Sequence, residues 1–305
     1  MKKLLLTSIF GIFLVVLAAC GGGSDDASGS DNGDGGSEGE SGGDSRLAEI
    51  QEAGTVTVGF ANEEPYGYQG EDGELTGASP EITAAVFAEL GVDNVESKLS
   101  DYSQLIPGLN AGNFDVITSG MAINPDRCEN ADFGEPEMTY GEGLVVPAGN
   151  PMDLQSYSDI AESGATVSIM SGATEIGYVQ EMGVSEDQIQ EASDIPSTFS
   201  AVQSGRADVT TGTEMTLRMA METASDDVEF VEDFEQPDIE GVPSYGAAAF
   251  HQDNDELREA YNEELQKLID DGTVAEILEQ NGFDPENNAP PEDITTEEIC
   301  SGEKY

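Results

Sequence analysis

Arg127 is the residue of this sequence best suited to holding an anion. Ten Lys and Arg residues stand against 63 Asp and Glu residues, so a basic side chain in the body of the chain is uncommon. Arg127 lies just past a predicted strand at Asp115–Thr118. A planar guanidinium pairs with a carboxylate through two parallel hydrogen bonds. We therefore expect Arg127 to bind the carboxylate of a small ligand; the alternative is a surface salt bridge.

A second anchor for the same carboxylate is predicted at Thr174. This residue follows a predicted strand at Ala165–Met170 and stands where a helix begins. A helix start offers free backbone N–H groups to an anion, and the hydroxyl adds another donor. Simple helix capping is the alternative role, and the two roles are compatible.

Residues typical of catalysis and of metal binding are scarce. The single histidine, His251, follows Phe250 in an acidic stretch, and no nucleophile stands beside a general base. Two isolated cysteines and one histidine do not make a zinc site. We expect no catalytic residue, no metal and no cofactor.

The formal net charge of −53 excludes nucleic acid as a partner, because affinity for phosphates comes from Lys and Arg. Acidic residues are spread over the whole chain, which favours solubility. Such a surface resembles that of proteins from salty habitats, where salt screens the repulsion between acids. An ordinary acidic exported protein is the alternative.

Residues 1–19 read as an export signal. Two lysines are followed by the apolar run Leu4–Leu17 and by small residues before Cys20. The run is shorter than the roughly 20 residues that a membrane-spanning helix needs. The sequence up to Cys20 resembles a bacterial lipobox, which implies cleavage before Cys20 and a lipid on its sulfur. A plain secretory signal is the alternative.

Residues 20–45 read as an acidic Gly/Ser linker, which is flexible and self-repelling and so remains extended. It would hold a folded body at the outer face of the cell membrane. The remaining residues suffice for two lobes, and none of their segments is apolar enough to span a membrane. In an exported protein, Cys128 and Cys300 are expected to form a disulfide.

The body alternates strands with helices. Thr55–Phe60 predicts a strand, and Ser79 with Pro80 predicts the start of a helix capped by Ser79. A helix–turn–strand pattern occurs twice, at Leu109–Val116 and at Val202–Val209. This alternation indicates parallel sheets, whose ligands bind at the carboxyl ends of strands. The strand ends to consider are Phe60–Tyr68, Ser119–Arg127, Gly172–Glu175 and Gly212–Glu214.

The segment Asp115–Arg127 resembles the strand-to-loop signature of family 3 extracytoplasmic solute-binding proteins of ABC importers, and Leu257–Phe283 resembles the closing signature of that family. The resemblance implies an α/β, two-lobed, periplasmic-binding-protein-like (type II) clamshell. Each lobe would be a mostly parallel sheet flanked by helices. Lobe 1 would hold residues 46–142 plus 243–305, and lobe 2 residues 143–242, with crossings near 143–146 and 241–245.

Within the family, the chain is most similar to ectoine- and hydroxyectoine-binding proteins. The matching segments are Phe60–Tyr68, Tyr102–Leu109, Asn124–Cys128 and Gly172–Glu175, together with the cysteine pair. The resemblance implies that Arg127 clamps the ligand carboxylate, that Glu63 pairs with its cation and that Tyr66 and Tyr102 stack on it. The expected ligand-binding residues are Glu63, Tyr66, Tyr102, Gly120, Met121, Arg127, Gly172, Ala173, Thr174 and Thr213.

Two positions depart from expectation. Ala122 stands where the resemblance implies a third aromatic wall, which Tyr68, Met121 or Met170 could replace. Thr213 stands where relatives that bind α-amino acids usually present an aspartate to the ammonium group. The lack of that acid favours a ligand without a free α-ammonium.

The sequence thus predicts a monomeric, lipid-anchored binding protein that captures an ectoine-like compatible solute by hinge closure and delivers it to the permease of an ABC importer. A polar amino acid or a betaine is the alternative cargo. An enzyme on the same fold is a remote alternative.

Overall fold

A computed structural model describes residues 45–303. The predicted signal segment, the lipid-bearing Cys20 and the linker up to residue 44 lie outside the described residues. Within residues 45–303, no helix has the length and apolar character that crossing a bilayer requires.

The chain begins with the elements of a first lobe. They are α1 (Arg46–Ala53), β1 (Thr55–Phe60), β2 (Tyr68–Gln69), β3 (Leu75–Thr76), α2 (Ala78–Glu89), β4 (Asn94–Leu99), α3 (Leu105–Asn110), β5 (Val116–Ala122), α4 (Pro125–Cys128), β6 (Asp132–Phe133) and β7 (Met138–Tyr140). A 3-10 turn at Tyr102–Gln104 leads into α3.

A second lobe follows and the chain then returns to the first. The second lobe contains β8 (Glu142–Pro147), α5 (Tyr157–Ser163), β9 (Val167–Met170), α6 (Glu175–Glu181), β10 (Ile189–Ala192), α7 (Ile195–Gln203), β11 (Val209–Thr213), α8 (Glu214–Thr223) and β12 (Val228–Phe230). The returning elements are β13 (Ser244–Phe250), α9 (Asp255–Asp270), α10 (Thr273–Gln280), α11 (Pro285–Asn288) and α12 (Thr296–Cys300).

The two-lobed α/β fold predicted from the sequence is confirmed, but its sheets are mixed rather than mostly parallel. The first sheet has the order β4-β1-β5-β13-β6, with β7 also on β13, and the second has the order β10-β9-β11-β8-β12. In both, the strand that arrives from the other lobe, β13 or β8, runs antiparallel to its neighbours. A strand that enters from the cleft side must run opposite to strands that end there.

The first crossing between the lobes lies two residues before the expected segment 143–146. Residues 143–146 are inside β8, which pairs with β11 in the second sheet, whereas β7 ends at Tyr140 in the first sheet. The chain therefore passes between the lobes at Gly141. The second passage lies immediately before β13, which begins at Ser244.

The repeated helix–turn–strand pattern performs the same structural task in each lobe. Asp115 accepts a hydrogen bond from the Thr57 N–H (2.9 Å) and donates its own N–H to the Thr57 carbonyl (2.7 Å). Asp208 makes the same two contacts with Thr166, both at 2.8 Å. Each aspartate thus ties the start of its strand to the neighbouring strand. Arg46 on α1 adds an ion pair to Asp115 at 2.6 Å.

Helical periodicity in α9 directs its apolar face into the first core. Leu257, Tyr261, Leu265 and Leu268 are all buried, and they pack with α2 and α10 in one cluster. The C-terminal tail forms the short helices α11 and α12, and Cys300 at the end of α12 is bonded to Cys128 as predicted.

A buried polar network lies between α2, β5 and α9. Helix α2 begins two residues earlier than predicted, at Ala78 after Gly77, so the hydroxyl of Ser79 does not cap it and instead bonds Thr118 (3.2 Å). Glu137 is fully buried and accepts hydrogen bonds from Tyr261 (2.6 Å) and Ser79 (3.4 Å). Burial without a basic partner raises the pKa of Glu137 to about 7.

We predict that Glu137→Gln flattens the pH dependence of stability between pH 4.5 and about 7, the limits set by the ordinary and folded pKa values of Glu137. The folded protein keeps a proton there that the unfolded chain loses, so wild-type stability falls as the pH rises. The neutral amide avoids a cost of at most about 3 kcal/mol above this range. Urea unfolding at mildly acidic and mildly alkaline pH measures the effect.

Glu89→Gln, which neutralises an exposed acid of α2, is the matched control and should unfold like the wild type at both pH values. A Glu137→Gln protein whose stability falls with pH as steeply as that of the wild type would contradict the prediction.

Candidate functional site

The predicted strand ends converge on one cavity between the lobes. Residues after β1 and in β5 form its first-lobe wall, and residues after β9 and at the end of β11 form its second-lobe wall. The lining residues are Glu63, Tyr66, Tyr102, Ser119, Gly120, Ala122, Tyr140, Met170, Ala173, Thr174, Glu175 and Thr213.

Seven of the ten predicted ligand-binding residues line this cavity: Glu63, Tyr66, Tyr102, Gly120, Ala173, Thr174 and Thr213. Arg127 and Gly172 are outside the lining but contact each other across the cleft. The prediction for Met121 is wrong for its side chain, which is buried in the first-lobe core with Leu105. Successive residues of a strand point to opposite faces, so Gly120 and Ala122 face the cavity and Met121 faces away.

Arg127 connects the two lobes directly. Its backbone is fixed by Asn124, whose side-chain oxygen caps α4 by accepting the Arg127 N–H (2.8 Å). One guanidinium nitrogen donates to the Ala122 carbonyl (2.7 Å) and another to the Gly172 carbonyl of the second lobe (3.0 Å). The guanidinium carbon lies 5.5 Å from the centre of the Tyr102 ring. Arg127 therefore lies at the cavity edge as a half-buried cation with several N–H donors.

Two glycines allow the walls to approach closely. Gly120 has a φ of +56°, and a Cβ atom there would lie 2.6 Å from the Tyr66 ring. Gly172 has a φ of +83°, and a Cβ atom there would lie 3.0 Å from the Ser103 backbone of the opposite lobe. Larger residues at these positions would be strained and would separate the surfaces that enclose the cavity.

Thr174 lines the cavity and is the N-cap residue of helix α6, which begins at Glu175. Its side chain makes no capping hydrogen bond to the helix backbone. The hydroxyl lies 3.5 Å from a carboxylate oxygen of Glu175. Because the hydroxyl does not cap the helix, it can donate to a ligand oxygen.

Glu63 is a buried acid on the first-lobe wall. Its carboxylate accepts a hydrogen bond from the Thr216 hydroxyl of the second lobe (3.0 Å). The Thr213 hydroxyl donates in turn to Thr216 (2.9 Å). Burial, with repulsion from Glu175 as the second cause, raises the pKa of Glu63 to about 7. The side chain therefore suits a cationic ligand group, which would stabilise its ionised form.

Glu142 and Glu175 form a buried carboxyl pair on the second-lobe side. Glu142 is 1% exposed, and neither of its carboxylate oxygens has a hydrogen-bond donor among the described residues. Burial and the neighbouring Glu175 raise the pKa of Glu142 well above its ordinary value, and burial also raises that of Glu175. Two buried carboxyls so close together repel each other when both are ionised, which favours a form of the pair that shares one proton.

The second lobe therefore contains buried acids near the cavity, although Thr213 replaces the aspartate of amino-acid-binding relatives. Glu142 lies directly opposite Thr213 in the β8–β11 pair, and Glu175 lines the cavity. Glu214, by contrast, turns away and bonds Arg218 (2.8 Å), as its alternation with Thr213 predicts. The absence of an aspartate at position 213 thus does not leave the second lobe without negative charge.

Three tyrosines surround the cavity. Tyr66 and Tyr140 meet edge to face with ring centres 5.0 Å apart, and the Tyr140 hydroxyl donates to the Gly120 carbonyl (2.7 Å). The Tyr66 hydroxyl is buried without a hydrogen-bond partner in the described part of the chain. A buried hydroxyl of this kind is available to a ligand. Tyr102 forms the remaining aromatic surface.

Tyr140 and Met170 line the cavity together with Ala122. Of the three substitutes considered from the sequence, Met170 is in place, whereas Tyr68 and Met121 are outside the lining. Tyr140, Ser119, Glu142 and Glu175 were not among the predicted site residues. Glu175 could have been predicted as a site residue, because it lies in the Gly172–Glu175 segment after a strand. Tyr140 and Glu142 flank the crossing between the lobes, and no local sequence pattern marks them as site residues.

This fold and cleft define an extracellular solute-binding protein. The family model described as "Bacterial extracellular solute-binding proteins, family 3" matches residues 56–283, and the chain belongs to this family. The protein is therefore an extracytoplasmic solute-binding component of an ABC importer.

One relative and two solved structures illustrate which proteins this chain is similar to. A probable amino-acid ABC transporter periplasmic-binding protein of Sinorhizobium fredii, y4tE, is 35% identical over 84% of this chain and 86% of its own length. The crystal structure of EhuB in complex with hydroxyectoine is similar at 32% identity and a TM-score of 0.76, over 84% of this chain and 97% of that one. An ancestral arginine-binding protein bound to arginine is similar at 29% identity and a TM-score of 0.66, over 75% and 98%.

We predict that Arg127→Ala weakens binding of a carboxylate ligand, with ectoine as the probe, by about 30-fold or more, because a buried charged partner is lost. The melting temperature without ligand should change little, since the side chain makes no salt bridge with the described residues and its hydrogen bonds to Ala122 and Gly172 end on backbone carbonyls. Titration calorimetry and thermal unfolding measure the two quantities.

Arg218→Ala is the matched control, because Arg218 pairs with Glu214 and Glu232 on the surface of the second lobe. It should bind ectoine like the wild type. A large loss of thermal stability in ligand-free Arg127→Ala would instead assign Arg127 a structural role.

Proposed function

We propose that this protein captures ectoine or hydroxyectoine between its lobes and delivers it to the importer permease. The observation that carries the proposal is the arrangement of the cavity: the Arg127 guanidinium lies at one edge, and Glu63 lies among the rings of Tyr66, Tyr102 and Tyr140. This arrangement suits a small, flat zwitterion whose positive charge is delocalised over a ring. The similarity to EhuB, solved with hydroxyectoine, supports the same ligand class.

The charges of the cleft favour a ligand without net charge. Arg127 would pair with the ligand carboxylate, and Thr174 would add a hydroxyl donor from the second lobe. Ionised Glu63 would pair with the cyclic amidinium, whose faces are open to the tyrosine rings through cation–π contact. The carboxyl pair of Glu142 and Glu175 would retain its shared proton.

Closure of the two lobes would be the capture step. Arg127 reaches the Gly172 carbonyl and Glu63 accepts from Thr216, so both lobes contribute to the ends of the ligand site. A ligand that bridges such groups stabilises the closed arrangement through contacts that an open one lacks. The hinges would be the passages at Gly141 and before β13, so that residue 142, placed in lobe 1 from the sequence, would belong to lobe 2 with residues 143–242.

The localisation of the protein would be determined by the segment before the two lobes. A lipid on Cys20 and an extended acidic linker would hold it at the outer face of the membrane as a monomer, and the acidic surface would suit salty surroundings. The site supports binding rather than catalysis, because His251 lies on the surface beside Asp253, away from the cavity lining.

A cationic amino acid such as arginine is the second candidate. The carboxyl pair of Glu142 and Glu175 favours it, because loss of their shared proton would give the second lobe a charge that can accept an ammonium group. The similarity to an ancestral arginine-binding protein points to the same class.

We predict that calorimetric titration gives the tightest binding for ectoine or hydroxyectoine, in a panel that also contains glycine betaine, glutamine and arginine. The betaine ammonium carries no N–H donor for Glu63, and glutamine has no delocalised cation for the tyrosines. Much tighter binding of arginine would replace the proposal with the second candidate.

We predict that ectoine affinity rises as the pH rises towards 7 and then levels off. The Glu63 pKa of about 7 means that its carboxyl is protonated under acidic conditions and must lose that proton to pair with the amidinium. Affinity should therefore change by nearly tenfold per pH unit on the acidic side. Calorimetry from pH 5 to pH 8 tests this, with Glu63→Gln expected to bind weakly and without this slope.

Glu142→Gln separates the contribution of the carboxyl pair from that of Glu63. It should retain the rise in affinity with pH. If Glu142→Gln loses the slope while Glu63→Gln keeps it, the titrating group is the pair and the role given to Glu63 is wrong.

A further inference from the structure

The C-terminal segment, residues 284–303, lies beyond the part of the chain that the family model matches, which ends at residue 283. It contains α11 and α12 and runs along the first lobe behind the ligand cavity. Its contacts with the fold are specific. They reach α4, the apolar cluster against which Tyr102 packs, and β7 next to Tyr140.

The first contact is covalent. Cys300 at the end of α12 is disulfide-bonded to Cys128, the residue that follows Arg127 in α4. Helix α4 has only four residues, which is a single turn and too short to be stable by itself. Its position therefore depends on its cap at Asn124 and on this bond.

The second contact is apolar. Ile299 is fully buried in a cluster that also contains Leu105, Ile117 and the inner side of Tyr102. The segment thus supplies part of the core on which the Tyr102 ring rests. The Tyr102 ring in turn lies beneath the Arg127 guanidinium.

The remaining contacts are hydrogen bonds. The Asn288 side chain donates to the Thr139 carbonyl (2.9 Å), next to Tyr140. The Thr296 hydroxyl donates to the Gly134 carbonyl (2.6 Å), and the Thr296 N–H donates to Glu135 (3.1 Å). These bonds fix the segment along its length, so that Cys300 is bonded to a supported helix rather than to a loose tail.

We infer that the C-terminal segment is a brace that positions Arg127 for the ligand carboxylate, with Cys128 and Cys300 as positioning residues of the binding site. The inference rests on the proposed function in one respect, namely that Arg127 holds a carboxylate. A guanidinium held in its binding geometry loses less freedom when the ligand arrives. The disulfide therefore raises affinity as well as stability.

The test compares the full-length oxidised protein with a Cys128→Ser, Cys300→Ser double variant. Hydrogen–deuterium exchange of the ligand-free proteins should be faster in the variant for peptides that cover residues 122–131, and unchanged for peptides that cover β9 in the second lobe. Ectoine affinity, measured by calorimetry well below the melting temperature, should be about tenfold weaker.

Ser156→Ala is the matched control for a general loss of stability. It removes the N-cap of α5 in the second lobe, a change that costs about 1 kcal/mol, and should leave ectoine affinity unchanged. If the double variant does not fold, Ile299→Val takes its place. It keeps the disulfide and loosens the core beneath Tyr102, and a severalfold loss of affinity is expected.

A coupling measurement separates positioning from a merely structural role. In an Arg127→Lys background, removal of the disulfide should weaken ectoine binding much less than in the wild type, because the clamp being positioned is already impaired. Equal losses in both backgrounds would overturn the inference. Unchanged exchange at residues 122–131 would overturn it as well, as would faster exchange with full affinity.

Failure of the inference is distinguishable from failure of the proposed function. If the wild-type protein binds no ectoine, the proposed function fails, and the exchange comparison, which needs no ligand, still decides whether the segment holds the Arg127 helix in place.

Discussion

The organisation of the cleft depends on how one guanidinium is held in a very acidic protein. Arg127 projects from a one-turn helix, and its N–H groups donate to carbonyls of both lobes. Those carbonyls are presented by Ala122, at the end of a central strand, and by Gly172, in a turn that only glycine adopts without strain. The strand order, the helix cap and the glycine turn therefore all contribute to placing one positive charge between the lobes.

The acidic side chains near Arg127 are accommodated in the cleft differently, because burial disfavours their ionised forms. Glu63 and Glu175 face the cavity, and Glu142 lies beside Glu175. All three are buried, and burial disfavours their ionised forms. Protonation thus reduces a charge that the single guanidinium could not balance. The charge of the cleft consequently depends on which of these carboxyls are ionised.

Local sequence patterns predicted the individual helices and strands better than they predicted the direction of the strands within each sheet. Thr55–Phe60 forms β1 as predicted, and the spacing of Leu257, Tyr261 and Leu265 gives the buried face of α9, because both patterns depend on burial along one element. The antiparallel placement of β8 and β13 depends on contacts between residues about a hundred positions apart, such as Val116 with Phe250. No local pattern encodes such pairing.

The residues of the site show the same contrast between local patterns, which the sequence reveals, and long-range assembly, which it does not. Glu63, Tyr66 and Thr174 lie in segments after strand ends, where ligands of such sheets bind, and the family resemblance singled out Glu63 and Tyr66 within those segments. Tyr140 and Glu142 flank the chain crossing, so their place in the cavity wall becomes visible only once both sheets are assembled. Met121 failed because its neighbours, rather than its own side chain, face the cleft.

The docking of α1 has a mechanical consequence. Arg46, the first residue of α1, is ion-paired with Asp115, and Asp115 in turn ties the central strands of the first sheet together. Whatever precedes Arg46 is therefore joined covalently to the first lobe, while the second lobe is linked to it by two backbone passages. A force applied at the start of the chain would be transmitted to the first lobe, and the second lobe could still rotate about the two passages.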